Sequence, residues 1–186
     1  FHLFEVYVDD YIGLLQSTDI NVLQHHSRAL LHAIHQVFPP PAATGHAGED
    51  PISHKKLVTD GEGLWDTVKE ILGWVFDGLA RTMQLPDKKV HTIRETTKAA
   101  LRTGRIDTKA FESLIGKCQH ACLGIPGGTS LLPPLYKALK AAEAKRNSTV
   151  QIHPKSAQHF ALTDIRTFVK LIGDHPVHCQ QLIPGN

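Results

Sequence analysis

Phe4, Val6 and Val8 alternate with Glu5 and Tyr7, the period of a strand that buries one face. Tyr11, Ile12, Leu14 and Leu15 make a second β-prone run, rich in aromatic and branched residues. Between the two stands Asp9-Asp10, so the pattern predicts a tight hairpin with two adjacent carboxylates at its tip. Ile20, Leu23, Leu30, Ile34 and Val37 then fall near helical spacing, which predicts an amphipathic helix. Thr18 or Asp19 can cap its start, and Pro39-Pro40-Pro41 stops it. Residues 42–51 are small, polar and acidic and read as a flexible loop. His54 to Val58 turns back towards strand character. Val68 to Leu79 is β-prone around Asp77-Gly78, a strong short hairpin signal.

Beyond Leu85 the period becomes helical. Pro86 and Asp87 suit a first turn, and Gly104 suits a stop near Thr103. Asp107 or Thr108 caps the next helix, whose Phe111, Leu114, Ile115, Cys118 and Cys122 share one face. Gly124 to Gly128 breaks the chain. Leu131 to Arg146 predicts a third helix entered through Pro133-Pro134. Residues 147–155 are a polar link with strand character at Val150 and Ile152. Ser156 to Gly173 predicts a last helix with Phe160, Ile165, Phe168 and Ile172 inward, ended by His175-Pro176. The fold class expected is α+β: antiparallel hairpins with a helix, then a helical block.

Charge sharpens this division. Residues 1–80 hold 4 Lys/Arg against 11 Asp/Glu, and residues 81–146 hold 13 against 5. An acidic part able to hold cations is followed by a basic helical part able to track phosphates. Apolar content of 41% and a charged fraction of 20% are ordinary for a packed domain. Three cysteines, Cys118, Cys122 and Cys179, argue against a disulfide framework and for a reducing compartment. There is no basic-then-apolar leader and no membrane-spanning apolar run, so the Asn147-Ser148-Thr149 sequon carries little weight. An intracellular site, cytoplasmic or nuclear and not secreted, is expected. The start in a strand at Phe1 and the stop at Pro184-Gly185-Asn186 suggest a piece of a longer polypeptide.

Two carboxylates side by side each disfavour the other's ionisation, and Asp-Asp is not a preferred hairpin turn. A chain that accepts both costs points to a cation. Oxygen-only ligands suit magnesium, with manganese as a substitute. His25, His26, His32 and His35 sit on the first predicted helix, and Cys118 and Cys122 are one turn apart. A polar face and a buried core pair account for them without a metal.

In this setting Tyr7-Val8-Asp9-Asp10 resembles the Tyr-x-Asp-Asp signature of reverse transcriptases. Leu72-Gly73-Trp74 resembles their primer grip, the hairpin that holds the primer 3′ end. The block after Pro86 resembles the thumb of retrotransposon polymerases of the DIRS or gypsy type. It has a Pro-acid-Lys start, a Phe-x-x-Leu-x-Gly helix (Phe111, Leu114, Gly116) and a leucine-spaced third helix (Leu132, Leu135, Leu139) in family order. The resemblance implies a partial polymerase palm over residues 1–85, a helical thumb over 86–146, and over 147–186 the start of a connection towards an RNase H-like domain. It implies RNA-directed DNA synthesis by two-metal nucleotidyl transfer, with Asp9 and Asp10 as catalytic metal ligands. Tyr7 and Val8 would lie under the primer terminus, and Lys55 or Lys56 beside the phosphates of the incoming nucleotide. Lys88, Lys89, Arg94, Lys98, Arg102, Arg105, Lys109 and Lys117 would lie against the template–primer backbone.

The partners implied are an RNA/DNA template–primer, deoxynucleoside triphosphates and the rest of the polyprotein, including fingers that precede Phe1; no membrane is implied. The third aspartate of the family would also precede Phe1, so this chain alone is expected not to polymerise. The first sheet is expected to leave an edge and apolar residues uncovered. Two alternatives stand beside this reading. One is a domesticated or decayed retroelement-derived module that binds nucleic acid without catalysis. The other is an unrelated α+β binding domain with an acidic turn.

Overall fold

The computed structural model describes residues 2–7, 10–41, 50–61, 63–124 and 127–178, with side chains from residue 11 onwards. The fold is mixed α+β, with small antiparallel sheets beside a larger helical part. The chain divides into two compact units, Phe1–Asp66 and Thr67–Asn186. The expected divisions at 85/86 and 146/147 both fall within the second unit, and the boundary between the units along the chain is at 66/67.

In the first unit, β1 (His2–Tyr7) pairs antiparallel with β2 (Asp10–Leu15), from His2 opposite Leu15 to Tyr7 opposite Asp10. Helix α1 (Ile20–Val37) begins where expected: Asp19 Oδ1 accepts from Asn21 N at 2.8 Å. It ends at Phe38, before the proline run. Its inward stripe is only partly covered. Ile34 is buried, while Ile20 and Val37 at its two ends are exposed. The Trp65 indole N–H donates to Leu23 O (3.1 Å) and Ser27 Oγ (2.7 Å), tying the end of the unit to α1. The expected strand at His54–Val58 is instead a π-helical turn, Lys55–Thr59, closed by Asp60 N donating to Lys55 O. The cause is local. Ser53 Oγ accepts from Lys56 N, starting a turn where a lone strand would leave its backbone unpaired. The expected loop 42–51 falls mostly outside the described residues.

The second unit opens with a sheet of order β3-β4-β5-β8. Strand β3 (Val68–Ile71) pairs with β4 (Trp74–Asp77), and β4 with β5 (Thr82–Gln84). The β3–β4 turn is Leu72-Gly73, with φ of 49° and 76°. Two successive left-handed residues match the twist of a two-residue hairpin. Asp77-Gly78 belongs to the next hairpin. Asp77 Oδ1 accepts from Leu79 N and Ala80 N, so its side chain starts the longer loop to β5.

Helix α2 (Asp87–Thr103) ends at Gly104, whose φ of 67° a side chain would disfavour. The three-residue strand β6 (Arg105–Asp107) follows, unforeseen from the pattern. Helix α3 (Thr108–Cys122) is capped by Asp107, whose Oδ1 accepts from Ala110 N. A 3-10 turn (Gly128–Leu131) leads to α4 (Pro133–Ala144), so the third helix is shorter than expected, with proline in its first turn. Strand β7 (Thr149–Gln151) pairs with β6, placing buried Ile106 opposite buried Val150. Helix α5 (Ala157–Asp174) starts at Ser156, whose Oγ accepts from His159 N. Strand β8 (Val177–His178) returns to pair with β5.

One core serves this unit. Phe111, Leu114, Leu135, Leu162 and Val169 are wholly buried, with Trp74, Leu85 and Ile93 from the sheet side and α2. On α5 the inward residues are Ala161, Leu162, Ile165, Val169 and Ile172. Phe160 (56% exposed) and Phe168 (38%) face outward, a correction to their expected burial. Phe160 lies across the helix from Leu162 and Val169, and Phe168 stands at the edge of the buried face next to Ala161 and Ile172. No helix among the described residues is long and apolar enough to cross a membrane.

Candidate nucleic-acid interface

Of the expected acidic pair, the backbone of Asp10 is described. Asp10 opens β2 opposite Tyr7, one place beyond the tip expected for the pair. Val8 and Asp9 lie outside the described residues, as do the side chains of Tyr7 and Asp10. Lys55 and Lys56 both stand exposed on the π-helical turn.

The expected primer-grip residues form the tip of the β3–β4 hairpin. Trp74 is 6% exposed and packs into the core, with its ring 5.6 Å from that of His120 and tilted by 39°. Gly124 makes room for the indole, since any Cβ there would collide with it. Leu72 is 42% exposed, so of the three it is Leu72 whose side chain meets solvent. The Gly73 carbonyl accepts from Lys89 Nζ at 2.9 Å, and His120 Nε2 lies 3.3 Å from it.

The basic residues separate into two groups. Val90, Ile93, Thr97 and Ala100 turn α2 inward. Lys88, Lys98 and Arg102 are exposed on its far side with His91, and Arg94 is half-buried beside them. Lys98 Nζ is 3.8 Å from Glu95, an exposed pair that contributes little stability. Arg105 on β6 and Lys109 on α3 are exposed as well. Lys89 and Lys117 belong elsewhere, in a groove of about 330 Å³ between α2 and α3. Leu85 and Ile93 floor it, and Lys89, Lys117, His120 and Ser113 rim it. Lys117 Nζ donates to Ser113 Oγ at 3.1 Å. Gly116 also lines it, and a Cβ there would meet nothing within 4 Å. The glycine leaves a length of α3 backbone open to an approaching ligand.

His120 and Ser113 escaped the sequence reading. The signal was present: Ser113, Gly116, Lys117 and His120 follow helical spacing on α3, opposite its apolar face.

Cys118 and Cys122 are free and buried. Burial, and to a lesser degree the neighbouring Cys122, pushes the Cys118 thiol up to about 12, and burial raises Cys122 too. Both stay protonated at neutral pH and serve as core side chains. Among the described residues no three His, Cys, Asp or Glu converge as a metal site. His35 Nε2 lies 3.5 Å from Asp50, and His26 Nδ1 lies 2.9 Å from Val22 O.

No family model matches the chain, and no curated protein or solved structure matches it either.

Proposed function

We propose that this chain is the C-terminal part of a reverse transcriptase core of retrotransposon type, comprising the end of the palm, the thumb and the start of the connection. The observation that carries the reading is the Leu72-Gly73 tip. It is the turn of a hairpin that stands, with β5 between, before a basic helical bundle, and it is fastened to two of the bundle's helices. Its place after an Asp-Asp hairpin, a helix and a lysine pair adds the support of order.

In this reading Asp9 and Asp10 hold magnesium, for which an oxygen-only donor set is suited. Bound magnesium activates the primer hydroxyl and stabilises the leaving oxygen in nucleotidyl transfer. The chain's own residues position the reactants. Lys55 or Lys56 meets the phosphates of the deoxynucleoside triphosphate. Leu72 and Gly73 meet the primer end, and the exposed cations of α2, β6 and α3 meet the duplex backbone. A third carboxylate and the fingers come from residues outside this chain, so the chain by itself gives no magnesium-dependent primer extension.

The test is binding of the full chain to a labelled primer–template with a recessed 3′ end, against a blunt duplex of equal length. Tighter binding to the recessed end and an affinity that falls steeply with salt are expected. Manganese should broaden the amide resonances of residues 7–12 by paramagnetic relaxation, and Asp9→Asn with Asp10→Asn should abolish that broadening. Absence of duplex binding at low salt overturns the reading. A second reading is a domesticated module that binds nucleic acid without catalysis. It is favoured by one observation: the basic surface belongs to the unit with its own core, which contains neither aspartate. Equal affinity for both duplexes, with no manganese effect, selects it.

A further inference from the structure

The Leu72-Gly73 turn places a leucine at a φ of 49°, a conformation that side-chain-bearing residues rarely adopt. Something must hold it. The Gly73 carbonyl, with two lone pairs, faces two donors from different elements. Lys89 Nζ is 2.9 Å away from the first turn of α2, and His120 Nε2 is 3.3 Å away from the last turn of α3. A Cβ at Gly73 would collide with the Lys89 ammonium, so the ammonium fills the space beneath the turn. Trp74, the next residue, packs on the same imidazole. Lys89 is half-buried, whereas Lys88, Lys98 and Arg102 are exposed.

We infer that Lys89 and His120 are positioning residues that clamp the Leu72-Gly73 turn and set where Leu72 stands, and that Lys89 is not a phosphate contact. The clamp itself is independent of the reverse transcriptase reading. Its use, presenting a rigid tip to a primer end, rests on that reading.

The test uses the full chain and two measurements. Lys89→Met and His120→Phe keep bulk and remove the donor, and His120→Gln retains one. In the free protein, amide exchange at Ile71 and Trp74 should quicken by about tenfold in the first two variants. His120→Gln should stay near the wild type, and exchange within α3 and α4 should not change. Unchanged exchange at the tip, or an equal rise throughout the bundle, overturns the clamp. In duplex binding, Lys98→Met should reduce the salt slope by about 0.9, the value for one lost phosphate contact. Lys89→Met should leave the slope as it is, and a drop equal to that of Lys98→Met overturns the inference. If the wild-type chain binds no duplex, the reverse transcriptase reading falls, and the exchange measurement alone decides the clamp.

Discussion

Single residues here show opposite demands on glycine and cysteine. Gly124 and Gly116 lie near opposite ends of the same problem. A Cβ at Gly124 would press into the Trp74 indole, so Gly124→Ala should destabilise the protein by about 1–3 kcal/mol, as overpacking does, read as a lower urea midpoint. Gly116 sits in a helix with open space above it. Gly116→Ala should stabilise the fold by about 0.5–1 kcal/mol through helix propensity, while a methyl group narrowing the groove weakens duplex binding. A variant more stable and equally tight would remove the groove from the interface. Cys118 carries a pH prediction. Its folded pKa is raised from 9.0 to about 12, so the folded state keeps a proton that the unfolded chain gives up. The stabilisation is fully present below pH 9 and is lost as pH rises towards the folded value. Urea melts between pH 8 and 10.5 should therefore show the wild type losing up to about 1.4 kcal/mol per pH unit more than Cys118→Ala. Parallel curves would refute the burial argument.

Elements show which signals sequence carries and which it leaves to tertiary structure. The long helices were legible because caps and stops agree with period: Asp19, Asp107 and Ser156 accept the expected backbone N–H groups, and Gly104 adopts the left-handed stop. Strands β6, β7 and β8 span two or three residues each. Strand β7 falls where Val150 marks strand character, whereas β6 and β8 exist because partners distant in sequence pair with them, so no local window reveals those two. On α5 the period places Ile165 and Ile172 inward as expected, while the larger Phe160 and Phe168 stay exposed and Ala161, Leu162 and Val169 complete the buried face. Asp77-Gly78 does open a hairpin loop, between β4 and β5, while the pairing of Ile71 with Trp74 adds a turn at Leu72-Gly73 that local chemistry does not signal. Of the candidate site, the tip residues and basic helix were legible, whereas the clamp by Lys89 and His120 depends on a contact across 16 and 47 positions. A left-handed leucine costs about 1–2 kcal/mol. Leu72→Asn should recover about 1 kcal/mol of this, since asparagine tolerates the conformation, seen as a higher urea midpoint with an unchanged slope. No gain would mean that the leucine side chain contributes packing of equal size.

At the scale of the whole molecule the two units differ in how much apolar surface they cover. Among the described side chains, Ile34 is the one fully buried apolar residue of the first unit, while the second buries 23 in one cluster. Each fully buried large apolar side chain contributes about 1.5–3 kcal/mol, so the second unit has a core sufficient to fold around, whereas among the described side chains the first shows only Ile34 buried and the Trp65 tether to α1. The expected consequence is unequal stability within one chain. Each unit holds one tryptophan, Trp65 bonded to α1 and Trp74 in the core, which makes fluorescence a separate reporter for each. Urea titration of the wild type should give two steps in emission, and Trp65→Phe should remove the one at lower urea. Hydrogen exchange should agree, with amides of β1, β2 and α1 exchanging well before those of α2, α3 and α5. A single transition, with the first hairpin as protected as the bundle helices, would mean that the first unit draws stability from contacts beyond its own residues. The first sheet would then need no further strands to complete it, and the proposed reading would lose the support of an incompletely covered hairpin.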